Sequence, residues 1–246
     1  MKPLLEASGL GLRLDGRWLF RRLDFALHPG EFVALTGPSG SGKTSLLSCL
    51  AGLREPTEGT VTLHLPAGSS PGFIHQDLHI APGDTVLNNA LGGRLRRHSS
   101  LATLFGFPKQ DQADALDLLG ELGLAGHEGK WASETSRGEQ QRIAIARALL
   151  AEPPLFLADE PVASLDYSRA ENVLARLRRE AYENQRPTIA ALHDPEQVER
   201  HADRELIISP NTCETRALRD FAPVGNTPTH PRAKDESPDP HRHENA

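Results

Sequence analysis

Gly37-Pro38-Ser39-Gly40-Ser41-Gly42-Lys43-Thr44 follows the apolar run Phe32-Val33-Ala34-Leu35 and runs into Ser45-Leu46-Leu47. The pattern Gly-x-x-x-x-Gly-Lys-Thr between a strand and a helix is that of a loop that cradles phosphate. Its glycines let backbone N–H groups turn toward an anion, because no Cβ blocks the required conformations. Lys43 is expected to reach the terminal phosphates, and the Thr44 hydroxyl to hold Mg²⁺. The helix that starts here would aim its positive end at the same anion, with residues 37–45 as the candidate contacts. A second group of residues could act on what is bound. Pro154-Leu155-Phe156-Leu157-Ala158 is an apolar strand ending in Asp159-Glu160. Alone, that pair is an ordinary acidic strand end. Behind a phosphate loop, Asp159 is placed to hold Mg²⁺ through water and Glu160 to polarise an attacking water.

These groups need a scaffold that brings strand ends together. Residues 1–36 read as β-rich, with strands at Gly9–Leu14 and Leu23–Leu27 and turns at Asp15-Gly16 and Pro29-Gly30. Phe32–Thr36 is a continuous apolar run, as expected of a buried parallel strand. A helix follows over Thr44–Leu53, and Gly59–Leu65 reads as an edge or hairpin strand before a short loop at Ala67–Gly72. From Val86 to about Leu124 the pattern is helical, with Leu116, Leu119 and Leu122 on one face. Gly138–Leu150 is a further helix with Ile143, Ala146, Leu149 and Leu150 inward, and Asp166–Ala181 another with Val173, Leu174 and Leu177 inward. Leu155–Ala158, Thr188–Leu192 and Glu205–Ser209 complete the predicted strands. Strands alternating with helices imply an α/β protein with a mostly parallel sheet covered on both faces.

Composition narrows the setting. The chain has 246 residues and a net charge of −6, so no global basic field points to nucleic acid. No apolar stretch reaches membrane-spanning length, and Met1–Leu10 lacks the apolar core of a signal peptide. The expected location is therefore cytosolic, with any membrane association supplied by a partner. Cys49 and Cys213 are far apart; Cys49 is expected to be a small buried side chain, and no disulfide is expected. Residues 223–246 carry five prolines and many charges, with little to bury, and read as a disordered tail in which His230, His241 and His243 make no metal site.

A third segment gives the phosphate loop its context. Ser136-Arg137-Gly138-Glu139-Gln140-Gln141-Arg142 opens a helix shortly before the Asp159 strand. As a helix start it makes sense, with an N-cap serine and Glu139 three residues on. It also resembles the signature motif of ATP-binding cassette (ABC) ATPases, usually Leu-Ser-Gly-Gly-Gln or Leu-Ser-Gly-Gly-Glu. In that family the motif binds the γ-phosphate of ATP held by the opposite subunit. Other elements match by position: Gln76 resembles the Q-loop glutamine that contacts Mg²⁺ and the attacking water, Ser164-Leu165-Asp166 the D-loop that crosses the dimer interface, and His193 the switch histidine that hydrogen-bonds the γ-phosphate. The resemblance covers residues from about 4 to 210. It implies a P-loop NTPase (RecA-like) core, an antiparallel β subdomain and an α-helical subdomain at about 80–150, all within an ATPase domain at 1–222.

The resemblance assigns Lys43, Gln76, Glu160 and His193 to catalysis, and Thr44, Gln76 and Asp159 to Mg²⁺. It adds Ser136, Gly138, Glu139 and Asp166 to the ATP contacts of Gly37–Ser45. A single cassette cannot complete such a site, so a second ATPase subunit is implied, most simply as a homodimer. Integral-membrane permease subunits and a periplasmic or surface solute-binding protein are the further implied partners, with the chain peripheral on the cytoplasmic face of the inner membrane. Leu87–Leu95, Ser99–Phe107 and the wording Ala158-Asp159-Glu160-Pro161-Val162-Ala163-Ser164-Leu165-Asp166 resemble the ATPase subunits of phosphonate importers. An exporter or lipoprotein-release ATPase and a regulatory cassette are the alternatives. Lys43 and Asp159 lie too close in sequence to admit the long coiled coil of DNA-repair members.

Three departures from the family pattern stand out. Thr135 replaces a leucine, which is expected to weaken packing. Arg137 replaces a glycine and is expected to point outward, because Ser136 and Gly138 are retained. The position of the adenine-stacking aromatic falls at Leu14 or a neighbour, with Trp18 displaced.

Overall fold

The computed structural model describes residues 2–98, 106–209 and 212–219. The tail at 223–246 and most of the Ser99–Phe107 segment lie outside the described residues. Among the described residues, nine strands and six α-helices are arranged as two sheets with helices packed against them. β1 (Leu5–Leu14), β2 (Arg17–Leu27) and β4 (Glu58–Leu63) form an antiparallel sheet in the order β2-β1-β4. β3 (Phe32–Thr36), β5 (Gly72–Ile74), β6 (Phe156–Ala158), β7 (Thr188–Ala191), β8 (Arg204–Ser209) and β9 (Thr212–Ala217) form the larger sheet, ordered β5-β6-β7-β3-β8-β9. Every pairing from β5 to β8 is parallel, and β9 closes the edge antiparallel to β8.

The side-chain period of two divides each central strand between two cores. Phe32 and Ala34 of β3, Phe156 and Ala158 of β6 and Ala190 of β7 face one core. It is filled by α2 (Val86–Leu91), α3 (Lys109–Glu121), α4 (Arg137–Leu150), α5 (Tyr167–Asn184) and α6 (Pro195–His201). Val33, Leu35, Leu157, Ile189 and Ala191 face the other, against α1 (Lys43–Leu50) and the inner side of β1 and β2. This double burial explains why β3 reads as an unbroken apolar run rather than an alternating one.

The helix starts follow local chemistry. Ser136 and Glu139 form a reciprocal capping box on α4: the Glu139 carboxylate accepts from Ser136 N at 2.7 Å and the Ser136 hydroxyl from Glu139 N at 3.3 Å. Asp166 caps α5 through Arg169 N at 3.0 Å, and Thr85 caps α2 through Asn88 N at 3.1 Å. Asp194 caps α6, whose first residue is Pro195.

The helical layer and the sheet meet at a charged junction. Arg94, on the 3₁₀ turn at Gly92–Arg97, is buried and bonds Asp114 at 2.9 Å and Glu152 at 2.6 Å. Glu152 also pairs with Arg97 and, at 3.0 Å, with Arg186 beyond the end of α5. Burial pushes the Glu152 carboxyl up, but the Arg94 hydrogen bond and the three guanidinium charges outweigh it and hold the pKa below the usual value.

Several expectations need correction. Leu116 is 41% exposed, and the buried apolar stripe is Ala115, Leu118 and Leu119 of α3 with Leu122 just past its end. A strict three-residue spacing drifts off the face of a helix whose repeat is 3.6. α1 stops at Leu50 rather than Leu53, because Gly52 turns left-handed with φ +72°. β5, β9 and α6 were not anticipated: β5 is three residues long, β9 is a polar edge strand, and α6 spans seven residues. Cys49 is buried as expected, and both cysteines are free thiols.

Two adjacent glycines give a controlled test of the helical packing. A Cβ on Gly93 would sit 2.1 Å from the Arg147 carbonyl oxygen of α4, whereas one on Gly92 would meet only the Arg147 side chain at 3.6 Å. Gly93→Ala is expected to destabilise by about 1–3 kcal/mol through overpacking, and Gly92→Ala to be near neutral. Thermal unfolding followed by circular dichroism compares the two.

Candidate nucleotide site

Four neighbouring parallel strands, in the order β5-β6-β7-β3, each deliver a candidate group at their C-terminal end. β5 leads to Gln76, β6 to Asp159 and Glu160, β7 to His193, and β3 to the phosphate loop. Open α/β sheets bind ligands along this edge. An open cavity of about 710 Å³ lies there, floored by Ser39, Gly40, Gly42, Lys43, Thr44 and Ser45 and flanked by Gln76 and Glu160.

The loop is held for anion capture. Gly37, Gly40 and Gly42 have φ of +147°, +76° and +99°. At Gly37 glycine is needed for space as well, since a Cβ would stand 2.2 Å from the Ile208 carbonyl oxygen of β8. Lys43 is buried, and its ammonium bridges the loop by donating to the carbonyls of Gly37 at 2.9 Å and Pro38 at 3.2 Å.

Asp159 is 2% exposed. Burial raises its pKa and the neighbouring Glu160 charge adds to the rise, while the Thr44 hydroxyl bonded to its carboxylate, Lys43 and His193 oppose it. Its Oδ1 is buried without a hydrogen-bond partner. An orphaned carboxylate oxygen beside a threonine hydroxyl and a phosphate-binding loop suits Mg²⁺, which takes one or two carboxylates with phosphate oxygens and water. Among the described residues no group of three or more His, Cys, Asp or Glu side chains forms an all-protein metal cage.

Glu160 and His193 meet directly, with His193 Nε2 2.7 Å from Glu160 Oε1. Glu160 has φ +51°, an uncommon conformation for a non-glycine residue. The carboxylate thus stands between the phosphate loop and a histidine on the adjacent strand end.

The signature residues stand apart from this cavity. Ser136, Gly138 and Glu139 occupy the N-terminus of α4, and Asp166 that of α5; none is among the cavity's lining residues. The two starts are adjacent, since a Cβ on Gly138 would lie 3.0 Å from the Ser164 carbonyl oxygen. The Ser136 hydroxyl also donates to Glu139 at 2.8 Å. Hydrogen bonds from the Ser136 N–H and hydroxyl hold the Glu139 carboxyl below the usual range. In one chain the phosphate cavity and the signature face are separate.

The departures resolve as follows. Thr135 is buried, and its hydroxyl donates to the Ala132 carbonyl at 2.7 Å. Arg137 is exposed and engaged, donating to the Gln76 carbonyl at 2.8 Å. On the side where a base would lie, the cavity wall is Leu14, Asp15, Arg17 and Leu19. Trp18 is not part of it and instead packs against the Arg21 guanidinium, 4.5 Å from the ring centre. Arg17 and Leu19 were not anticipated in the wall; the turn at Asp15-Gly16 is the signal that brings them over the loop.

The described residues include no helix long and apolar enough to cross a membrane. Residues 20–163 match the family model described as "ABC transporter". The chain is 40% identical over 194 residues to the phosphonates import ATP-binding protein PhnC 3 of Nostoc sp., covering 74% of each. It is 36% identical over 218 residues to the aliphatic sulfonates import ATP-binding protein SsuB 1 of Rhodococcus jostii, covering 87% of this chain and 82% of that one. A dimeric bacterial ABC transporter cassette superposes with a TM-score of 0.76 at 25% identity, over 88% of this chain and 100% of that one. A cassette dimer bound to ADP and Pi, 24% identical, shares the fold with a TM-score of 0.76 over the same fractions.

Gly37→Ala tests the loop geometry. The 2.2 Å approach to Ile208 O cannot be relieved by a side-chain rotation, so the loop must move. Affinity for a fluorescent ATP analogue is expected to fall at least about tenfold, the equivalent of 1.4 kcal/mol.

Proposed function

The chain belongs to the ABC transporter family as an ATP-binding, ATP-hydrolysing subunit, and from that premise we propose that it serves a solute importer and powers uptake of a phosphonate or a related oxyanion. The carrying observation for the site is the convergence of the phosphate loop, Thr44–Asp159 and Glu160–His193 at the ends of adjacent parallel strands. The names of the phosphonate relatives support the cargo, and the sulfonate relative keeps it within the oxyanions.

In this reading Gly37–Ser45 wraps the phosphates of ATP with backbone N–H groups, and Lys43 transfers its ammonium from the loop carbonyls to the β- and γ-phosphates. Thr44, Gln76 and Asp159 would hold Mg²⁺, which when bound neutralises charge on the phosphates. Glu160 orients water for in-line attack on the γ-phosphorus and takes its proton. His193 leaves Glu160 and donates to the γ-phosphate. Ser136, Gly138 and Glu139 of a second copy, with Asp166 at the interface, close the site from the other side. The separation of the two half-sites within one chain supports that division of labour. Dimer closure on ATP and opening after hydrolysis would drive permease subunits in the inner membrane. The chain would sit on their cytoplasmic face, with a solute-binding protein delivering cargo outside.

Lys43→Ala is expected to abolish ATP binding. Glu160→Gln is expected to cut hydrolysis by at least about a hundredfold and to trap an ATP-bound dimer, read by size-exclusion chromatography. Hydrolysis by Glu160→Gln at the wild-type rate would remove Glu160 as the base. For the cargo, a strain lacking this gene should fail to grow on a phosphonate as sole phosphorus source and grow normally on phosphate. Failure on a sulfonate as sole sulfur source instead would reassign the substrate.

A further inference from the structure

Glu160 must present its carboxylate at a fixed place, yet its backbone is held in an unusual state. Its φ of +51° is one that side-chain-bearing residues seldom adopt. The next residue is Pro161, and a following proline ordinarily drives its neighbour toward extended backbone with negative φ. Such a conformation persists only where its surroundings over-determine it.

The surrounding group is Gln141, on the second turn of α4. Its side chain is buried, at 2% exposure. Its Nε2 donates to the Pro161 carbonyl at 2.8 Å and to the Glu160 carbonyl at 3.3 Å. One amide nitrogen thus spans the two peptide units that follow the catalytic carboxylate. A buried amide that lost these acceptors would be costly to leave unpaired, and so would the carbonyls. α4 is a firm base for the clamp, since Ile143, Ile145 and Ala146 are fully buried on the same helix. The helix also grips the neighbouring loop through Arg137 on the Gln76 carbonyl and Arg147 on the carbonyls of Leu78 and His79.

We infer that Gln141 is a positioning residue for hydrolysis: its buried amide fixes the Glu160–Pro161 backbone and thereby sets where the Glu160 carboxylate meets the attacking water. This rests on the reading of Glu160 as the general base. Gln141 is not among the residues that line the nucleotide cavity; it acts through Glu160. Because the clamp sits on the helix whose first turn carries Ser136 and Gly138, the placement of that helix and the aim of the carboxylate are set together.

The test uses the full-length chain with Gln141→Met, which keeps length and helix propensity but removes the donor, and Gln141→Glu, which keeps the shape and offers an acceptor to two carbonyls. Both are made in the wild-type and the Glu160→Gln backgrounds. Melting temperature, affinity for a fluorescent ATP analogue, kcat and KM are measured for each. The expected result is a fall in kcat of about ten- to a hundredfold, the scale of a 1 Å misplacement. ATP affinity and KM should stay within about threefold, changes worth less than 1.4 kcal/mol. In the Glu160→Gln background neither Gln141 variant should lower the residual rate further, because the group being positioned is gone. A wild-type kcat in a folded Gln141 variant overturns the inference, as does an equal loss in both backgrounds. If one variant fails to fold, the other carries the comparison. If Glu160→Gln itself hydrolyses ATP normally, the assignment of the base fails, and that outcome is distinct from a failure of Gln141 alone.

Discussion

Burial of β3, β6 and β7 on both faces is the constraint from which the rest follows. Each of these strands gives alternate side chains to two separate cores, so neither face offers room for a ligand. Only the strand ends meet solvent. The chain therefore places its charged and glycine-rich residues directly after the apolar runs: Gly37 after Thr36, Asp159 after Ala158, and His193 two residues after Ala191. Parallel pairing then lines those residues along one edge without any long-range recognition between them. The energy that fixes the site is the energy of packing hydrocarbon, and the polar groups are carried along by register.

This is also why so much was legible in advance. The unbroken apolar run of β3, the phosphate-loop spacing and the Asp159-Glu160 strand end are local signals, and each marks an element and a site residue together. What escaped was of two kinds. β5 and β9 owe their structure to a neighbouring strand rather than to their own pattern, and three residues or a polar edge leave nothing periodic to read. Gln141 escaped because its role depends on which carbonyls lie opposite it, and sequence spacing does not report that. α6 was legible in principle, since Asp194-Pro195 is a recognisable helix start.

The departures from the family pattern show how substitutions are absorbed. Thr135 replaces a leucine yet is satisfied by the Ala132 carbonyl, so a buried hydroxyl becomes part of the turn that leads into α4. Arg137 stands where a glycine is usual and spends its guanidinium on the Gln76 carbonyl of the same chain. The loss of an aromatic over the phosphate loop is not repaired by Trp18, which is turned toward Arg21; Leu14, Asp15, Arg17 and Leu19 form that wall instead.

The charged junction at Glu152 has a mechanical meaning. Arg94 and Arg97 reach it from the helical layer, and Arg186 from the end of α5 beside the sheet. Interdigitated apolar side chains forfeit roughly a quarter to a half of their dispersion attraction when a gap of about 0.5–1 Å opens between them, whereas attraction between opposite charges decays slowly with distance. A seam built from guanidinium and carboxylate groups would therefore lose less cohesion on a small displacement between its two sides than an apolar contact would.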